Sequence, residues 1–278
     1  MTRLCVLHPG AMGSSIAAAL GEAGHQVYWL AAGRSDATRR RAARSGALPL
    51  ANETDLVGFD AVVSVCPPDA ALAVADAVIA MGFTGIFVDA NAVAPATARA
   101  IGDAVASAGC AFIDGGIIGP PAWQPGTTRL YLSGPDADIV AGWFAGSALQ
   151  ARAIGAEVGA ASALKMCYAA FTKGSSALLL GVRALAEAEG VQQELLAEWD
   201  LSQPGLAARS ASTASAVAAK GWRFVGEMRE IAATFESRGL PGGFHRAAAD
   251  LYQRLEEFKD ESDADVAAVL RALIRASD

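Results

Sequence analysis

The chain of 278 residues is 53% hydrophobic and carries a net charge of −7, with a pI near 5.0. That length and apolar content suit two compact domains with sizeable cores. The acidic balance, with no basic stripe, argues against a nucleic-acid-binding surface. Four scattered cysteines and three unclustered histidines offer no disulfide framework or metal site. Cys5, Cys66 and Cys110 sit in apolar runs and read as reduced thiols of a cytoplasmic protein, while Cys167 stands apart. The start lacks a basic stretch before a long apolar core, and no apolar run reaches membrane-spanning length, so neither a signal peptide nor a membrane helix is expected.

In chain order, an apolar run at 4–7 leads into His8-Pro9-Gly10-Ala11-Met12-Gly13. An alanine-rich stretch at 14–23, a Gly24-His25 turn and a second apolar run at 27–30 follow. This order predicts the strand, glycine turn, helix, strand unit that binds a dinucleotide. Gly10 lets the backbone approach a pyrophosphate, Gly13 lets the helix pack on the strand, and the helix N-terminus, opened by Ala11 and Met12, offers unpaired N–H groups. His8 stands where such motifs carry their first glycine, and Pro9 holds it near extended backbone. An NAD site places Asp or Glu at the end of the second strand. Here Leu30-Ala31-Ala32-Gly33 is followed by Arg34 and Ser35, a guanidinium and a hydroxyl suited to a phosphate monoester, so the expected cofactor is NADP(H). The arginines at 39–44 read as a solvated helix face.

The alternation continues with strands at 61–66, 86–89 and 111–114, separated by helices at 70–81 and 95–108. Ligands in such sheets collect beyond the carboxyl ends of the strands. That makes candidates of Cys66, Pro67, Pro68, Asn91 and the run Asp114-Gly115-Gly116-Ile117-Ile118-Gly119, although Pro, Asn and Gly are also ordinary turn formers. Two more strands are expected at 129–133 and 150–154. The rest reads as helix, near 160–189, 192–201, 205–219, 221–238, 243–259 and 263–276. Breaks fall at Gly190, Pro204, 239–243 and Ser262-Asp263-Ala264-Asp265, the last resembling a helix cap. The expected division is residues 1–157 and 158–278.

The first of these helices would run roughly 45 Å and is apolar on most faces, so it is expected to be central and buried. Lys165 falls in its first or second turn, where the electropositive helix end is expected to lower the lysine's pKa and suit it to proton transfer. At about 100° per residue, Ala169 and Thr172 share its face and Tyr168 lies about 60° away. Lys173 is a weaker candidate, and a lysine here can also simply extend its stem to water.

These motifs resemble the 3-hydroxyacid dehydrogenase and 6-phosphogluconate dehydrogenase superfamily over essentially the whole chain. The carrying features are P-G-A-M-G at 9–13, V-C-P-P at 65–68, D-A-N-A-V-A-P at 89–95, D-G-G-I-I-G at 114–119 and S-A-L-K-M-C-Y at 162–168. The run that continues A-A-F-T-K-G and the W-R-F-V-G-E-M stretch at 222–228 resemble a bacterial branch with its own C-terminal helical domain. The resemblance implies an α/β Rossmann domain followed by an all-α, 6-phosphogluconate dehydrogenase C-terminal-like domain, an NAD(P) cofactor, a homodimer and a small-molecule substrate. It implies that Lys165 is the acid/base, that Gly10, Met12 and Gly13 contact the cofactor, that Asn91 lies near the nicotinamide ribose, and that Gly115, Gly116 and Ile117 shape the substrate pocket.

The chain departs from the family at the long helix. Hydroxyacid enzymes carry asparagine four residues after the lysine, where this chain has Ala169. Phosphogluconate enzymes carry histidine and glutamate where it has Tyr168 and Thr172, which removes the second acid expected for oxidative decarboxylation. The expected activity is hydride transfer between NADP(H) and a small hydroxy acid or carbonyl compound, with Tyr168 helping Lys165. Trp222, Arg223, Glu227, Met228 and His245 are expected to add to the pocket from the helical domain, Arg223 as a carboxylate clamp. An imine reductase-type enzyme, whose cyclic amine would suit Trp199, Trp222 and Phe224, and a non-catalytic NADP-binding sensor are the alternatives.

Overall fold

The structure is a computed structural model that describes residues 2–50, 52–259, 261 and 264–274. Its first part alternates strand and helix: β1 (Arg3–Val6), α1 (Ala11–Glu22), β2 (Gln26–Leu30), α2 (Asp36–Ser45), β3 (Leu48–Leu50), β4 (Ala61–Ser64), α3 (Ala71–Ala80), β5 (Ile86–Asp89), α4 (Pro95–Ser107), β6 (Ala111–Ile118), β7 (Arg129–Ser133), α5 (Ala137–Gly142) and β8 (Gln150–Ala153). The strands form one sheet in the order β3-β2-β1-β4-β5-β6-β7-β8. Pairing is parallel except between β6 and β7. Alternate residues of each strand feed two apolar clusters: Leu4, Val6, Val63, Val88 and Ile113 go to one, Cys5, Leu7, Val62, Phe87 and Phe112 to the other. A sheet buried on both faces explains why these strands read as continuous apolar runs.

Two features of this sheet differ from the sequence expectation. The edge strand β3, Leu48-Pro49-Leu50, was not anticipated, because three residues with a central proline give no alternation to read. Strand β6 does not stop at Asp114 but continues through Gly115, Gly116 and Ile117, since β7 pairs antiparallel along it from Asp114↔Ser133 to Ile118↔Arg129. The two glycines are therefore strand residues, not a turn after the strand.

The second part is helical: α6 (Ala160–Ala188), α7 (Gln192–Ser202), α8 (Leu206–Ala218), α9 (Gly221–Glu236), α10 (Gly243–Gln253) and α11 (Val266–Ile274). Of the expected cap before the last helix, Ser262 and Asp263 lie outside the described residues. Asp265 supplies the cap, its Oδ2 accepting from Ala268 N at 3.2 Å. None of the described helices is long and apolar enough to cross a membrane. The chain forms two compact units, residues 1–166 and 167–278, a division that lies within α6.

The start of α6 belongs to the first unit because Asp114 holds it there. This carboxylate, 1% exposed, accepts at Oδ2 from Gly159 N and Ser162 N, both at 3.0 Å, and from Ser133 Oγ at 2.9 Å. Its Oδ1 accepts from Ser162 Oγ at 2.5 Å, and Ala161 N donates to Ser133 Oγ at 3.0 Å. Three of the amides at the head of α6 are thus answered from β6 and β7. Asp114→Ala would strand these buried donors and is expected to cost about 3 kcal/mol or more in urea unfolding, with Asp114→Asn, which keeps an acceptor, losing less.

Candidate active site

The carboxyl ends of β1, β2, β4 and β5 meet at one edge of the first unit, together with the stretch of β6 beyond Asp114. At β1 the chain turns tightly, Gly10 N donating to His8 O at 2.8 Å. A Cβ on Gly13 would collide with the His8 carbonyl oxygen, whereas one on Gly10 would meet nothing within 4 Å. Gly13 is thus the close-packing glycine, and Gly10 faces open space. No side chain caps α1 and its first turn holds no acidic residue. The amides of Ala11, Met12 and Gly13 accordingly have no intrahelical acceptor, and the positive helix end is uncompensated, an arrangement that fits a pyrophosphate.

At the end of β2, Arg34 Nε is buried and makes no hydrogen bond, and neither does the buried His8 Nδ1. Two orphaned nitrogens at this place fit a further anionic group of a dinucleotide. Ser35 has a local duty as the N-cap of α2, its Oγ accepting from Thr38 N at 3.3 Å. The arginines of α2 are not uniformly solvated as expected. Arg39 Nη2 folds back onto the Ala31 carbonyl at 3.1 Å, and Arg44 lies over the Trp123 ring at 4.2 Å. Arg39 stands one turn past the cap, and that spacing was the available signal for its return to the strand end.

Asn91 joins two strand ends. It is 3% exposed; its Oδ1 accepts from Cys66 N at 2.5 Å, its Nδ2 donates to Ser64 Oγ at 3.1 Å, and its own N donates to Asp89 Oδ1 at 2.8 Å. Its amide fixes the Cys66-Pro67 connection, which places Asn91 beneath the edge. Burial pushes the Cys66 thiol up to about 11. Asp89 is pushed up to about 7, chiefly by burial with the neighbouring Asp114 adding to it, and its Oδ2 is buried without a hydrogen bond.

Gly116 receives the head of α6. A Cβ there would lie 2.7 Å from Ala161 O and 3.0 Å from Lys165 Cβ, so only glycine lets the helix rest on the strand. This seats the half-buried Lys165 just beyond the carboxyl end of β5. Gly115 lies against Asp89 O and Ala90. Ile117, expected to touch substrate, is 7% exposed and packs in the apolar core, because strand alternation turns it away from the face that Gly116 presents.

In the second unit the expected pocket residues occupy three separate places. Lys173 pairs with Glu227, its ammonium 4.5 Å from the Phe224 ring centroid, and Tyr252 donates its hydroxyl to Lys173 O at 2.6 Å. The Trp222 ring has Lys259 Nζ at 4.3 Å and the Arg223 guanidinium at 5.0 Å from its centroid. His245 is a core residue, 5% exposed, with the Phe235 ring at 4.4 Å and Phe244 at 5.2 Å, and burial lowers its pKa. Trp222 opens α9 and Phe235 closes it, about 20 Å apart at helical rise. Trp222 and His245 therefore do not form one pocket within this unit, and Met228, 0% exposed, belongs to its core. Tyr168 is exposed and Thr172 returns its hydroxyl to Tyr168 O at 3.1 Å. Among the described residues no three His, Cys, Asp or Glu side chains gather as a metal site.

The model of the NAD-binding domain of 6-phosphogluconate dehydrogenase matches residues 4–139, and a domain of unknown function, DUF1932, matches residues 186–255. A conserved hypothetical protein of Sinorhizobium meliloti is 28% identical, with 99% of this chain and 96% of that one covered and a TM-score of 0.71. Its first part carries the NAD-binding domain of the 6-phosphogluconate dehydrogenase family, and the chain as a whole is similar in fold to the 3-hydroxyacid dehydrogenases. A 3-hydroxyisobutyrate dehydrogenase of Mycobacterium tuberculosis shares the fold at 19% identity and a TM-score of 0.71, with 98% and 99% covered. An imine reductase of Streptomyces aurantiacus does so at 20% and 0.56, with 97% and 99% covered. No curated protein matches the chain. The match over residues 4–139 makes the first part of the chain an NAD-binding domain of the type found in 6-phosphogluconate dehydrogenase.

Asp89 yields a test of the edge. Its folded pKa of about 7 lies above the ordinary aspartate value of 3.8, so the folded state holds the extra proton between the two. The resulting stability is complete below the lower value and is lost as pH rises through the upper one. Asp89→Asn has no such proton to lose, so its urea midpoint relative to wild type is expected to rise between about pH 4 and pH 7 and to level off above that; a constant difference would place the proton elsewhere.

Proposed function

We propose that the protein transfers hydride between NADP(H) and a small hydroxy acid or carbonyl compound, with Lys165 as general acid/base. The observation that carries this reading is the seat of Lys165. It is a half-buried lysine set against Gly116, on the same sheet edge as the uncapped first turn of α1. Preference for NADP(H) is supported by Arg34 and Arg39 at the end of β2, where residues 31–35 include no acid.

A nicotinamide, when bound, supplies or accepts the hydride. Gly10 and the amides of Ala11, Met12 and Gly13 would hold the pyrophosphate, and Arg34 and Ser35 the 2′ end. Lys165 gives a proton to the oxygen of a carbonyl as it is reduced and takes one from the hydroxyl in the reverse direction. Tyr168, three residues further along the same helix, is the second group proposed to carry that proton, through its hydroxyl. An imine reductase-type reaction is a second reading, favoured by Ala169. That residue is 1% exposed, so one turn past Lys165 the helix carries a buried methyl group and nothing that binds a carboxylate.

A homodimer is the proposed assembly. On α6, Phe171, Leu178 and Leu185 recur every seven residues and are 72%, 54% and 61% exposed, a seam suited to another helix. The free thiols of Cys5, Cys66, Cys110 and Cys167 fit a cytoplasmic compartment.

Two measurements test these proposals. NADPH consumption is followed with 2-keto and 3-keto acids, semialdehydes, sugar-acid ketones and cyclic imines, with NADH as control. Lys165→Ala is expected to lower turnover roughly 10²–10⁴-fold with NADPH affinity nearly unchanged. Turnover indifferent to the substitution moves the proton to another group, and tight NADPH binding without turnover on any substrate supports the non-catalytic sensor. For assembly, sedimentation equilibrium should give twice the 28.3 kDa chain mass for wild type and the single mass for Leu178→Glu/Leu185→Glu; a monomeric wild type refutes the dimer.

A further inference from the structure

We infer that His8 is a ligand of the cofactor's 2′-phosphate: together with Arg34 it closes on that group, and the imidazole takes up a proton as the phosphate arrives. The inference rests on the NADP(H) reading above and adds a residue that the glycine motif itself does not supply.

Position comes first. Cys5 pairs with Tyr28 across β1 and β2, and three residues beyond that pair on each strand stand His8 and Ala31. The imidazole thus leaves the chain beside the strand end that reads the 2′ position of a dinucleotide. Its backbone is fixed, the carbonyl accepting from Gly10 N at 2.8 Å and lying under Gly13, so the side chain departs from a rigid point. Arg39, held on the Ala31 carbonyl at 3.1 Å, brings a second guanidinium to the same strand end.

The chemistry of the pair is unfinished within the chain. His8 Nδ1 and Arg34 Nε are both buried, and neither makes a hydrogen bond. Burial, and then the charge of Arg34, hold the His8 pKa down to about 4, so the ring is neutral at neutral pH, and its Nδ1 and the Arg34 Nε are left unpaired. A phosphate monoester answers both: it brings up to three acceptor oxygens and a charge of nearly two, reversing the electrostatic environment that Arg34 imposes on the ring. Arg34 is the charge that acts on the imidazole. The other titratable groups at this edge are Asp36 and Arg39 of α2, Cys66 and Asp69 after β4, and Asp89 at the end of β5, whose proton is common to wild type and variants, while the first turn of α1 contributes no acid.

The sign follows. The ring's pKa is about 4 without the anion and higher with it, so between those values binding draws a proton from solution and NADPH affinity rises as pH falls. Ionisation of the phosphate itself is common to wild type and variants and cancels in the comparison.

The experiment is calorimetric titration of NADPH and of NADH into wild type, His8→Gln and His8→Gly, at about pH 6.5 in two buffers of different ionisation enthalpy. Circular dichroism checks that each variant is folded. His8→Gly restores the usual glycine of the turn and so separates the imidazole from the backbone. The expected result is that both variants bind NADPH about tenfold or more weakly, bind NADH as wild type does, and take up fewer protons with NADPH. Equal weakening for both cofactors would assign the ring to the pyrophosphate and overturn the inference, as would variants that match wild type throughout. A wild type that prefers NADH refutes the NADP(H) reading, and that result is read before any variant is compared.

Discussion

Burying an ionised carboxylate is costly unless its oxygens are well supplied with donors, and Asp114 is supplied by two amides and two hydroxyls. What this arrangement organises is the seat of Lys165. The carboxylate takes the amides at the head of α6, the absence of a side chain at Gly116 lets the first turn settle on β6, and Lys165 follows one turn later. The same charge meets the positive end of α6. The electrostatic setting of the lysine is therefore shared between the helix end and a carboxylate from the sheet.

The rest of the sheet edge is built on similar economy. Asn91 uses its whole amide to tie Ser64 and Cys66 together, and its backbone rests on Asp89. A side chain that resemblance assigns to the cofactor is thus first of all a brace for the loop on which a cofactor would lie. Ser35 is similar, a helix cap standing where a phosphate-binding hydroxyl was expected. Such residues set the shape of a site through backbone, and their types alone do not separate that role from direct contact.

What was legible in the sequence follows from the range of the interactions involved. The strands with continuous apolar runs, the glycine turn at 10–13 and the long helix carry local, periodic signals, and all appear in the structure. The reach of β6 to Ile118 depends on β7 pairing antiparallel along it, a contact that glycines conceal because they resemble a turn. Asp114 stood in the D-G-G-I-I-G run and Ser162 opened the S-A-L-K run, but their meeting spans 48 positions of chain, which no local pattern announces. Met228 stands in the W-R-F-V-G-E-M stretch and His245 follows a glycine break, signals that suit a pocket as well as a core, and both side chains are buried in the helical unit.

The two outer strands give the sheet definite limits. At one side β3 is three residues long and carries Pro49 at its centre; at the other, β8 is four residues long and carries exposed Arg152. Proline cannot donate to an added strand, and a charged side chain on a short edge resists a flat, apolar neighbour. Neither border offers a template on which a stray segment or another sheet could be continued. A protein so rich in alanine and aliphatic side chains gains from this a protection against fibrillar growth that owes nothing to the chemistry at its carboxyl edge.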